Sequence, residues 1–109
     1  MKTISAGALR HRVELQSPIE TADTGGSATT TWQTIATVWA SVVPTRGTET
    51  IIADGEVGRT FYDVTIRHRS DIGTDHRIAH DNRHLQVLPA FDPDGTRRWL
   101  VCRCRHETV

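Results

Sequence analysis

Arg59-Thr60-Phe61-Tyr62-Asp63-Val64-Thr65-Ile66-Arg67-His68-Arg69 is the clearest strand in this 109-residue chain. Tyr62, Val64, Ile66 and His68 alternate with Phe61, Asp63, Thr65, Arg67 and Arg69. Successive strand residues point to opposite faces, so one face is mostly apolar and the other mostly polar. The β-branched and aromatic side chains favour that conformation, and Asp71-Ile72-Gly73 breaks it. The pattern predicts a central strand with its apolar face on a core. It specifies fold and says nothing of activity.

The rest of the chain extends the same reading. His11-Arg12-Val13-Glu14-Leu15-Gln16 alternates with Val13 and Leu15 inward, following a short N-terminal arm, residues 1–10. Pro18 is expected to end that strand. Residues 17–29 then read as a long polar loop turning at Gly25-Gly26, and long loops in small domains are either functional or mobile. A second strand runs from Thr29 through Trp32 to Val43 and stops at Pro44, with a bulge or bend near Ala36-Thr37. In residues 45–58, Thr48 is placed to cap a two-turn helix with Glu49 in its first turn and Gly55 at its end.

Arg77-Ile78-Ala79-His80 and Arg83 to Leu88 read as a hairpin turning at Asp81-Asn82. Asp94-Gly95 marks another turn, before a last strand from Arg97 to His106 with Leu100, Cys102 and Cys104 on one face. Short strands, tight turns and one brief helix predict a mainly β fold: a small antiparallel β-barrel with one inserted helix and long loops. At this length a single domain over residues 1–109 is expected.

Composition narrows the function. Lys plus Arg and Asp plus Glu are both 13, a net charge of zero, which argues against a free-standing nucleic-acid binder. Lys2 is the single lysine. Arginine suits interfaces, because its planar fork pairs with carboxylates and stacks on rings; a GC-rich genome explains the same bias. No run is apolar enough to cross a bilayer as a helix and no secretory h-region is present, so synthesis and use in a cytosol are expected.

No catalytic, cofactor or metal constellation stands out. His76, His80 and His84 would share a helical face, but the Asp81-Asn82 turn removes that spacing. Cys102 and Cys104 lack a second pair of ligands and read as reduced, buried core thiols. No nucleophile elbow, zinc-protease motif or phosphate loop occurs, so an enzyme is not expected. Trp39 and Trp99 suit either an interface or a core, with the core favoured. Arg67, Arg69, Arg103 and Arg105 form a basic stripe if their strands are adjacent.

The order of pieces is itself informative. Ala6-Gly7-Ala8-Leu9-Arg10-His11-Arg12-Val13-Glu14-Leu15-Gln16 is followed by Asp23-Thr24-Gly25-Gly26, Thr31-Trp32 and Val38-Trp39-Ala40-Ser41-Val42-Val43-Pro44. Then come Gly47-Thr48-Glu49, the Tyr62 to Arg69 strand with Asp71-Ile72, Arg77-Ile78 and Arg83-His84-Leu85-Gln86-Val87. This series resembles the phage head–tail joining family, the head-closure or stopper proteins of long-tailed phages, prophages and gene transfer agents.

The resemblance implies a structural connector in the virion or phage-like particle, assembled in the host cytoplasm. Its subunits would form a ring between the portal–adaptor and the tail, retaining packaged double-stranded DNA and offering a tail docking platform. Partners would be further copies of itself, the portal adaptor, the tail terminator or completion protein and the DNA in the channel, with no membrane and no cofactor. The channel-facing residues implied are Thr45, Arg46, Gly47, Thr48, Glu49, Ile51, Ile52, Asp54 and Glu56. Glu20, Asp23, Thr24, Gly25 and Gly26 would meet a neighbouring ring. The alternative, motivated by Trp39 and the four strand arginines, is a small nucleic-acid-binding β-barrel.

Overall fold

The computed structural model describes residues 5–45, 49–51 and 57–108. A 3-10 turn, Ala6–Ala8, leads into seven strands: β1 His11–Ala22, β2 Ala28–Pro44, β3 Glu49–Ile51, β4 Val57–Arg67, β5 Arg77–His80, β6 Arg83–Phe91 and β7 Trp99–Thr108. All pairings are antiparallel. The strand order is β2-β1-β5-β6-β7-β4-β3, and β2 also pairs with β4. That extra pairing closes six strands into a ring-like sheet, leaving β3 as an appendage on the far end of β4. Closure covers edges that so small a sheet would otherwise expose.

β4 is central, as its alternation predicts. It pairs with β7 along ten residues, from Gly58↔Thr108 to Arg67↔Trp99, and with β2 and β3 on its other side. Val64 and Ile66 are fully buried, and half-buried Tyr62 packs against them. The interior they help fill contains Val13, Leu15, Ala40, Ile78, Leu85, Val87, Leu100, Cys102 and Cys104. Most of these are small or β-branched, which suits a narrow ring whose walls approach closely.

Three local expectations need correction. First, most of residues 17–29 is strand, because β1 and β2 stay paired from Gln16↔Thr34 to Ala22↔Ala28. Pro18 does not end β1. Among the described residues that strand has a neighbour on one side alone beyond Gln16, and a missing N–H is tolerated at such an edge. Second, the described part of the 45–58 insertion is extended: Glu49–Ile51 pairs with Val57–Arg59. An isolated two-turn helix is marginal, whereas β4 offers this segment a ready ladder. Among the described residues the 3-10 turn is the sole helical element. Third, the irregularity in β2 falls at Ile35, where Leu15 pairs with Ala36 but Gln16 pairs with Thr34.

The β5–β6 hairpin turns where expected. Asp81 and Asn82 both take positive φ, 52° and 62°, the primed turn whose twist matches its flanking strands. β6 is longer than its sequence signal, because a bulge at Leu88-Pro89, between the pairs Val87↔Cys104 and Ala90↔Cys102, lets it continue past Pro89.

Candidate functional site

The β1–β2 hairpin projects beyond the ring as an arm, which accounts for the elongated extents of 49 × 34 × 23 Å. Its tip is a closed turn. The Asp23 Oδ1 accepts N–H bonds from Gly25 at 2.8 Å and Ser27 at 3.0 Å, and Asp23 N–H donates to the Ser27 carbonyl at 2.8 Å. Gly26 takes φ 83°, a conformation that L side chains adopt with strain. Asp23, Thr24, Gly25 and Gly26 therefore sit together at the tip. Glu20 lies on the stem, opposite Thr30.

The root of the arm is braced. Arg77 Nε donates to Gln16 Oε1 at 2.6 Å, Gln16 Nε2 donates to Thr34 Oγ1 at 3.3 Å, and Thr34 donates to Glu14 at 3.3 Å. The Arg77 guanidinium also lies 4.3 Å from the centre of the Trp32 ring. Its partial burial lowers its pKa. A cation that is hydrogen-bonded and stacked on an indole holds position better than either contact alone allows. The brace sits beside the Ile35 bulge, the point from which β1 and β2 have lost their other neighbours.

The outer wall carries the expected arginines in an unexpected arrangement. β4 and β7 are adjacent, so Arg67, Arg103 and Arg105 do share one face. Arg67 lies 5.4 Å above Trp99 and Arg103 lies 5.7 Å above Phe91. Asp63 stands 3.5 Å from Arg103. Arg69 lies past the end of β4 and grips Asp71 through two hydrogen bonds of 2.9 and 2.8 Å. That contact raises the Arg69 pKa and lowers that of Asp71. Across the wall, Arg12 pairs with Trp39 and lies 4.9 Å above its ring.

Of the two tryptophans read as core, Trp99 is buried and Trp39 is not. Trp39 is 52% exposed, and Trp99 is buried on the outer wall beneath Arg67. A cavity of about 360 Å³ opens between Leu9, Val38, Trp39, Arg67, His68 and Arg69.

The insertion leaves and re-enters the ring at one place. Pro44 pairs with Tyr62, and Thr45 N–H donates to the Phe61 carbonyl at 2.9 Å. Of the expected channel-facing residues, Thr45 anchors this neck, while Glu49 and Ile51 lie in β3. Arg46, Gly47, Thr48, Ile52, Asp54 and Glu56 lie outside the described residues.

The histidines do not converge. Among the described residues no group of three or more His, Cys, Asp or Glu is placed to hold a metal. His84 pairs with Ala79 and so faces away from His80. His80 instead meets His11 edge-on at 5.1 Å. Burial, then the His11 and Arg83 charges, lower its pKa, while Asp81 opposes them. A lowered folded-state pKa favours the neutral ring, so stability is full above the ordinary histidine range and falls as pH drops through the lowered value. His80→Gln is therefore expected to flatten the loss of melting temperature between pH 7 and 5. An unchanged pH profile would show that this pair has no such effect.

The family model described as phage head completion protein matches residues 4–107. The chain belongs to the phage head completion protein family. No curated protein matches it. Among solved structures, one chain from the virion of a native gene transfer agent particle superposes with a TM-score of 0.79 at 20% identity, over 93% of this chain and 96% of that one. Protein SF1141 from Shigella flexneri 2a, solved in solution, gives a TM-score of 0.70 at 29% identity, over 94% and 96%. The fold of this head completion protein thus recurs nearly end to end in both. Membership makes it a structural phage protein, a component of the particle at the head–tail region. Sequence reasoning missed Arg12, Arg77 and Trp32, because each gains its partner across a register that the sequence does not display.

Proposed function

We propose that this chain is the head-closure subunit of a phage or phage-like particle. Copies assemble in the host cytoplasm as a ring beneath the portal and its adaptor, retain the packaged double-stranded DNA and present a platform to the tail terminator or completion protein. The family match over residues 4–107 carries the reading. The geometry supports it: the 45–58 insertion springs from a single neck on an otherwise closed ring of strands, so it can enter a channel without disturbing the fold. The hairpin tip, Asp23 to Gly26, is the part that meets a neighbouring ring. Catalysis has no place in this scheme.

The nucleic-acid-binding alternative draws less support. Base stacking needs aromatic faces open to the ligand, and Trp32 and Trp99 each carry an arginine over the ring and are less than half exposed, which leaves Trp39 as the one open platform among the tryptophans.

Deleting residues 48–55 tests the channel role. The purified variant should keep its β-sheet circular dichroism, while filled heads carrying it should lose their DNA. A folded variant with normal DNA retention would overturn the plug role.

A further inference from the structure

Cations and rings alternate across the outer wall. Arg12 on β1 pairs with Trp39 on β2, and Arg67 on β4 pairs with Trp99 on β7. The β2–β4 register runs Pro44↔Tyr62 to Ser41↔Thr65, so its next outward positions are Trp39 and Arg67. Those two residues line the same 360 Å³ cavity. The row therefore reads Arg12–Trp39–Arg67–Trp99 over four strands. A guanidinium held over a ring by its positive charge still has N–H donors to offer an anion. Trp39, more than half exposed, is an apolar platform between two such cations.

Charge along the chain is segregated to match. Between Arg12 and Arg46 there is no lysine or arginine, while Glu14, Glu20 and Asp23 all fall in that interval. The arm is thus the acidic pole. Even-numbered residues of β1 share the outward face with Arg12, so Pro18 and Glu20 present an apolar ring and a carboxylate side by side. Glu20 is exposed. It lies eight residues beyond Arg12, roughly 27 Å along the strand, so the arm cannot reach the row on its own chain.

We propose that the Arg12–Trp39–Arg67–Trp99 row receives the acidic outer face of the arm, Pro18 and Glu20, of a second copy of this chain. Pro18 packs on the Trp39 ring, and Glu20 meets the edge of the Arg67 guanidinium. The two patches differ, so the contact is heterologous, the kind that closes into a ring when its rotation permits. This inference rests on the ring reading above and names its intersubunit contact.

The test uses full-length chains in assembled particles. Glu20→Cys and Arg67→Cys are combined in one chain, with each single variant as control; the native thiols are buried. Mild oxidation should give a ladder of cross-linked multimers from the double variant alone. In parallel, Glu20→Arg and Arg67→Glu should each lower the yield of tailed particles by about tenfold, the scale of one reversed ion pair, and the double exchange should restore it. Circular dichroism checks that every variant folds.

No ladder from well-formed particles whose connector is a ring by electron microscopy would overturn this contact and leave the ring reading standing. A connector with a single copy would overturn both. If Arg67→Glu instead abolishes low-salt DNA binding and no ladder forms, the row is a nucleic-acid surface and the proposal fails.

Discussion

Ile66→Ala is expected to cost about 2–5 kcal/mol, the range for truncating a fully buried aliphatic side chain. For a domain near this size that corresponds to a drop in melting temperature on the order of 10–20 °C. Ile66 has no exposed surface and belongs to the interior formed by all the strands of the closed circuit. On the ladder it pairs with Leu100. Its strand is held by β7 on one side and by β2 on the other. The walls therefore cannot collapse into the space left by three missing carbons, and the cavity term adds to the lost transfer energy. Ile35→Ala is the control, because Ile35 is an exposed bulge residue and surface changes stay within about 0.5 kcal/mol. Thermal or urea unfolding decides the matter. Equal costs for the two variants would mean that Ile66 does not anchor the core.

The second large effect concerns the thiols. Cys102 and Cys104 are fully buried, and the Cys104 thiol points at the Cys102 carbonyl at 3.6 Å. Burial pushes Cys102 from 9.0 to about 12. Burial pushes Cys104 further still, helped by the neighbouring Cys102 and Asp63. The thiolate is the reactive species. The raised value makes the thiolate far scarcer in the folded protein than in the unfolded chain, before any steric exclusion. A chromogenic disulfide at pH 8 should therefore titrate no thiol quickly in the native protein and both at once in denaturant. A raised thiol pKa also means that the fold keeps its full stability below the ordinary thiol value and loses some as pH rises above it. Rapid labelling of either cysteine in a protein with intact circular dichroism would show that the interior opens readily.

Several features were legible in the sequence. β4 announced itself by clean alternation over eleven residues, and the Arg77–His80 strand with its Asp81-Asn82 turn fell where turn chemistry required. The inward face of β7 was plain from Leu100, Cys102 and Cys104. These signals are local: period-two alternation and positive-φ turn residues act within a few residues of chain. The threonine-rich stem of the arm was misread, since its residues have little apolar alternation and Pro18 mimics a stop. Pairing across the hairpin supplies what local pattern does not.

The outer wall shows the same division. Arg12, Trp39, Arg67 and Trp99 are scattered over 88 residues of sequence, and neither composition nor spacing links them. Register joins them, because a ladder brings residues opposite one another according to where its strands begin and bend. Likewise the closing β2–β4 contact depends on four pairs alone, Ser41 to Pro44 with Thr65 to Tyr62. By itself the sequence determined the strands other than β3 and the stem of the arm, most of their inward faces and the family to which they belong, since those follow from short-range pattern and order along the chain. Only the tertiary structure decided which pairing closes the sheet, that the polar loop is a braced arm, and that arginines and tryptophans interleave. Each of those depends on hydrogen-bond register between segments far apart in sequence, which no local preference encodes.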